Sequence, residues 1–236
     1  MIIMFSLKIL KKIYSVIILV YAFITMEKIK NTLLEFKNDN RGALILNPEL
    51  KKSDKEFLKY CHLRVNWDIP SITKDDLPPD FCNMAVKLVD LFRKKTFDLD
   101  YECLMYFDYT TGELIYCFIG DENQINNFVD DVHFKDKNIA SIHNHPKGYL
   151  SAPSGENFQI LDLKFEDYEL ISGSDGLWII EAKGEIKNSD DIKEEILYFY
   201  DDYLDDDISI KYYEDFLINY LNNNKNNITI TKKEFD

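Results

Sequence analysis

The chain has 236 residues, 46% of them hydrophobic and 14% aromatic, with 28 Lys and Arg against 42 Asp and Glu for a formal net charge of -14. That apolar share is enough to bury a full core and excludes an intrinsically disordered chain, so one main domain with extensions is expected. No basic cluster lies beyond the first dozen residues, which excludes the usual counterion-displacing face of a nucleic-acid-binding protein.

In chain order, Lys8, Lys11 and Lys12 precede an uncharged run of 14 residues over 13–26. The basic-then-apolar order is that of a signal or anchor segment. A spanning helix needs about 20 apolar residues, and no Ala-x-Ala cleavage site follows. Met26 itself opens a soluble-looking stretch with Ile29, Leu33, Leu34 and Phe36 at helical spacing. Residues 1–25 are therefore read as an apolar leader or an overlong gene start. Membrane contact is expected only through residues 1–26, and the setting is cytoplasmic or, alternatively, membrane-anchored through this segment.

Residues 26–79 are read as an N-terminal helical extension of one or two helices with a short strand over 43–46. The turn signal Leu77-Pro78-Pro79-Asp80 then introduces a helix over 81–97, with Phe81, Ala85, Leu88, Val89 and Phe92 on one face. A strand over 100–107 contains Glu102, and a second over 114–119 follows the turn-rich residues 108–112, so the two form a hairpin. A helix is expected over 121–130.

Next comes Ala140-Ser141-Ile142-His143-Asn144-His145-Pro146, followed by Ser154-Gly155-Glu156-Asn157. On a strand, alternation with period two projects His143 and His145 to one side and Asn144 to the other. Two imidazoles on one face can share a cation. Pro146 turns the chain out of the sheet, which puts the pair at a strand end. Ser154 suits a helix N-cap ahead of Phe158, Ile160, Leu161 and Phe165.

This arrangement resembles the JAMM motif of the MPN+ metallopeptidases and their bacterial RadC-like relatives. The family pattern is a glutamate on an earlier strand, then His-x-His-Pro, a loop, and Ser-x-x-Asp. The resemblance implies a zinc site in which His143 and His145 are ligands. Through the local string Pro153-Ser154-Gly155-Glu156-Asn157 the usual aspartate ligand falls on Asn157. By spacing alone, eleven residues after the second histidine, it falls on Glu156. The first register is favoured, and it sets a neutral amide where a catalytic zinc ordinarily takes a carboxylate. The resemblance further implies Glu102 as general base and Ser154 as the stabiliser of the oxyanion.

Beyond this motif, strands over 168–172 and 177–181 flank Gly173-Ser174-Asp175-Gly176 in a hairpin. Ile192, Ile196, Phe199, Tyr200 and Tyr203 mark one helix, and a second is expected over 212–221. The asparagine-rich tail, 222–236, reads as loosely held. Residues 190–215 hold eleven acids against Lys193 and Lys211, a net of -9, which suits a basic protein or peptide partner or a solvated helix face. Cys61, Cys82, Cys103 and Cys117 lack metal-site spacing and read as core thiols. Cys103 and Cys117 are close enough across the hairpin for a disulfide to be conceivable. His62 and His133 stand alone and are given no role.

The expectation is thus an α/β fold of MPN (JAB-like) type, a mixed β-sheet flanked by helices, over 80–187, with an acidic helical C-terminal extension over 188–236. The activity that the resemblance implies is zinc-dependent hydrolysis of an amide or isopeptide bond in a protein or peptide substrate, including removal of a ubiquitin-like modifier. The alternative is a weakened or inactive pseudoenzyme of the same fold acting as a protein-binding module. A RadC-like role in DNA repair fits the charge poorly.

Overall fold

The computed structural model describes residues 59–60, 62–120, 134–149, 151–154, 158, 166–182, 184, 186, 188–205, 207–223 and 227–235. The leader, the strand over 43–46, the helix over 121–130 and Cys61, His133, Glu156 and Asn157 lie outside them, as does most of the stretch expected to be helical after Ser154.

Among the described residues, six strands form one mixed sheet in the order β2-β1-β3-β4-β5-β6. They are β1 (Cys103–Asp108), β2 (Glu113–Ile119), β3 (Ile139–Asn144), β4 (Glu166–Ser172), β5 (Gly176–Ala182) and β6 (Ile228–Glu234), with helices α1 (Asn83–Thr96), α2 (Ser189–Leu204) and α3 (Ile210–Asn223). Neighbouring strands are antiparallel except β3 and β4, which run parallel. A parallel pair needs a crossover, and residues 145–165 make it.

Both expected hairpins form. In the first, Asp108 Oδ1 accepts from the amides of Thr110 and Thr111 at 2.9 and 3.1 Å, and Gly112 closes the turn with φ +75. A side chain on Gly112 would collide with Met84 Cβ at 2.5 Å, so the hairpin tip sits directly on the start of α1.

One face of the sheet buries Met105, Phe107, Ala140, Ile142, Leu170 and Ile179 against the apolar stripe of α1. That helix starts two residues later than the stripe predicted, at Asn83, where the Cys82 thiol caps the Ala85 amide. Its last turn contains an unexpected feature: Arg93, Lys94 and Lys95 are all buried. Three consecutive residues cannot all face the sheet, so α1 must also be covered on its outer side. Tyr60, Pro70 and Ser71 do this, with Arg93 Nη1 donating to Pro70 O at 2.9 Å, Lys94 Nζ to Ser71 Oγ at 2.5 Å and Lys95 Nζ to Tyr60 O at 3.2 Å. The Phe235 ring closes over the Arg93 guanidinium at 3.9 Å. Burial lowers the Arg93 pKa to about 10, which leaves it charged at neutral pH.

The opposite face carries two separate apolar clusters. Leu104, Tyr106, Phe118 and Phe134 lie at the β1–β2 end, while Ile171, Trp178 and Ile180 pack against Ile192, Ile196, Tyr213, Leu217 and Leu221 of α2 and α3. The two helices also meet through Phe199 and Phe216, stacked at 3.7 Å. No helix among the described residues is long and apolar enough to cross a membrane.

The tail corrects one expectation. Residues 228–234 are not loosely held but form β6, paired with β5 from Gly176↔Glu234 to Ala182↔Ile228. Ile228 and Ile230 are buried while Thr229 and Thr231 face outward, the alternation of a half-covered edge strand. Asn222 secures the connection, its side chain accepting from Ile230 N at 2.8 Å and donating to Ile230 O at 2.9 Å.

Candidate functional site

The site is built on β3, a central strand with every residue buried. Ala140 and Ile142 enter the core on α1, so Ser141 and His143 turn to the other face. His143 is held opposite Leu104 of β1 and Ile171 of β4. His145 follows the strand end, half-buried, with its amide donating to Ser172 O at 2.8 Å so that the backbone stays attached to β4. The two imidazole rings lie 5.5 Å apart between centroids, inclined by 40°.

Burial, and secondarily the neighbouring His145, push the His143 pKa down to about 3. The ring is therefore neutral across the physiological range, the form in which imidazole ligates a metal. Facing it from β4 is a group the sequence reading did not single out: Glu169 Oε1 lies 3.8 Å from His143 Nδ1, both side chains being buried. A carboxylate on this side favours the Nδ1–H tautomer and leaves Nε2 as the donor to a ligand. The signal in the sequence is one glutamate inside the otherwise apolar run Tyr168 to Ile171.

Glu166 of β4 adds a second buried carboxyl. Burial drives its pKa up to about 8, with Asp167 acting in the same sense and hydrogen bonds from Ser141 acting against it. It is mostly protonated at neutral pH, and its Oε1 has no hydrogen-bond partner among the described residues. Ser141, His143, Glu166 and Glu169 together form a buried polar strip between the two apolar clusters on this face.

Glu102 requires a correction. It does not lie within the strand expected over 100–107, because β1 begins at Cys103, and it is half-buried just ahead of it. The reason is Asn144, whose Oδ1 accepts from Cys103 N at 2.7 Å while its Nδ2 donates to Tyr101 O at 3.0 Å and to His145 O at 3.3 Å. These bonds grip the backbone on both sides of Glu102 and tie it to the strand end that carries the histidines. Extending the Leu104↔His143 register by two pairs sets Glu102 opposite His145. The Glu102 carbonyl accepts from Gly120 N at 2.8 Å.

Ser154 lies on the segment that follows Pro146 and is half-buried. The loop ahead of it is anchored: Ser151 N and Oγ both donate to Asp175 Oδ1 at 2.8 Å, and Tyr213 of α3 donates to Pro153 O at 2.7 Å. Glu156 and Asn157, the alternative third ligands, are outside the described residues. Among the described residues no group of three or more His, Cys, Asp or Glu side chains is arranged to hold a metal ion. The histidine pair fits zinc as half of a tetrahedral donor set, with one neutral nitrogen backed by a carboxylate.

Cys103 and Cys117 are buried thiols of the core on α1, outside any disulfide. The register pairs Cys117 with Met105 and Cys103 with Ile119, so the hairpin does not join them. His62 is exposed. Compared with family models, curated proteins and solved structures, the chain matches none.

Proposed function

We propose that the protein is a zinc-dependent hydrolase of amide or isopeptide bonds, of the JAMM/MPN type, acting on a protein or peptide that includes a ubiquitin-like modifier among its candidates. The observation that carries this reading is the juxtaposition of His143 and His145 at the end of β3, rings 5.5 Å apart, with the backbone of Glu102 fastened to the same strand end by Asn144.

In this reading His143 and His145 hold the ion through ring nitrogens, with Asn157 or Glu156 completing the protein ligands. When bound, the ion polarises the scissile carbonyl and lowers the pKa of water toward about 7. Glu102 takes a proton from the attacking water as the water oxygen bonds to the carbonyl carbon, then delivers that proton to the nitrogen as the C–N bond breaks. Ser154 Oγ–H donates to the carbonyl oxygen while it carries negative charge. Glu169, 3.8 Å from His143 Nδ1, favours the tautomer that presents Nε2.

The test is Glu102→Gln in zinc-reconstituted protein, assayed on isopeptide-linked and C-terminally extended ubiquitin-like substrates. Zinc is expected to stay at the wild-type level while hydrolysis is lost, by about a hundredfold or more. Full activity in the variant would remove Glu102 from the base role. The alternative, a pseudoenzyme that uses the fold for protein binding, draws on the neutral amide that the local string sets at residue 157. It predicts no hydrolysis in wild type and tighter metal binding in Asn157→Asp.

A further inference from the structure

The loop from Pro146 to Ser154 carries the residue given the oxyanion role, yet its anchors do not come from β3. Ser151 is fully buried and spends both of its donors on Asp175 Oδ1, at 2.8 Å each. Asp175 belongs to the β4–β5 turn, and its other oxygen meets Lys232 Nζ of β6 at 2.8 Å. Lys232 in turn meets Glu214 of α3 at 2.8 Å and lies over the Trp178 ring at 5.6 Å, with Glu234 at 3.7 Å as a third carboxylate. Its side chain is 10% exposed. An ammonium buried to that degree between carboxylates holds a geometry that a solvated pair would not.

Two further contacts act at the same loop. Tyr213 of α3, itself fully buried, bonds Pro153 O at 2.7 Å, directly before Ser154. A Cβ built on Gly173 would stand 2.5 Å from Ser151 N, so only glycine lets the loop backbone and the β4–β5 turn come this close. Ala152 joins the same apolar cluster as α2 and α3.

We infer that Asp175 is a positioning residue for Ser154, and that α3 and β6 are working parts of the site because they set the loop through Asp175 and Tyr213. This rests on the proposed role of Ser154. The C-terminal segment is then no appendage: the relay from Ser151 to Asp175 to Lys232 to Glu214 transmits its packing to the loop, and Tyr213 fixes the last peptide before the hydroxyl.

The test uses the full chain as wild type, Asp175→Ala, Lys232→Met and Lys232→Arg. Amide exchange at Ser151, read by NMR beside β3 amides as an internal standard, is expected to speed at least tenfold in Asp175→Ala. It should speed less in Lys232→Met and stay near wild type in Lys232→Arg, which keeps the charge. In the zinc-loaded enzyme, kcat is expected to fall about tenfold in Asp175→Ala when wild type and variant are compared at matched zinc occupancy. A change in Ser151 exchange no larger than that of the β3 amides overturns the inference, as does faster exchange with kcat unaltered. If wild type binds no zinc and hydrolyses nothing, the proposed function fails, and with it the positioning role, whereas the exchange result alone decides whether α3 and β6 set the loop.

Discussion

Asn144 is where the fold and the candidate site are joined, and its removal has a calculable cost. In Asn144→Ala the fully buried Cys103 N–H loses its 2.7 Å acceptor, while the Tyr101 and His145 carbonyls lose donors at 3.0 and 3.3 Å. A buried donor deprived of its acceptor costs about 1–3 kcal/mol, and the two half-buried carbonyls, which can regain water, roughly 0.5 kcal/mol each. Residue 144 is 1% exposed, so the space left behind adds about 1 kcal/mol. The sum is about 3–5 kcal/mol, or roughly 6–20 °C in Tm for a chain of this size. Urea denaturation followed by circular dichroism at pH 7 reads it as a shift in midpoint at unchanged slope. Asn144→Asp sharpens the test. It keeps the acceptor for Cys103 but turns a charged oxygen toward two carbonyls, so its deficit should be at least as large at pH 7 and shrink toward pH 4, where a protonated carboxyl can donate. A loss below about 0.5 kcal/mol in Asn144→Ala would refute the claim that this side chain fastens β1 to the histidine strand.

Glu166 makes stability depend on pH in a stated sense. Its folded pKa, about 8, lies above the ordinary 4.5, so between these values the folded chain holds a proton that the unfolded chain lacks, and stability falls as pH rises through that window. Glu166→Gln should flatten the urea midpoint between pH 5 and pH 8, and an unchanged slope would contradict the assignment. Ile230→Ala should cost about 2–4 kcal/mol if the tail is a packed strand, as its full burial against β5 requires, and close to nothing if it is loosely held.

The two hairpins and helices α1, α2 and α3 were legible because their signals are local. The turn at 108–112, the Gly173 to Gly176 turn and the stripe of α1 each declare themselves within a dozen residues. The His143 to Pro146 string likewise marks a strand end. What was illegible depends on distant partners. The start of β1 is set by Asn144, 41 residues later in the chain, which occupies the place that a ladder bond would take at Cys103 and leaves Glu102 outside the strand. The burial of Arg93, Lys94 and Lys95 comes from Tyr60, Pro70 and Ser71 and from Phe235, which composition alone does not bring together. Glu169 read as one face of an ordinary hairpin strand until the parallel register with β3 set it beside Ser141 and His143. The Ile-Thr alternation at 228–231 was a strand signal overshadowed by the asparagines before it.

Metal analysis of purified, zinc-reconstituted wild type beside His145→Ala decides whether His143 and His145 form a metal-binding pair. About one zinc per chain is expected in wild type and its loss in the variant, with both proteins folded by circular dichroism. Wild-type protein without stoichiometric zinc, or a variant that retains it, would show that the two histidines do not hold the metal.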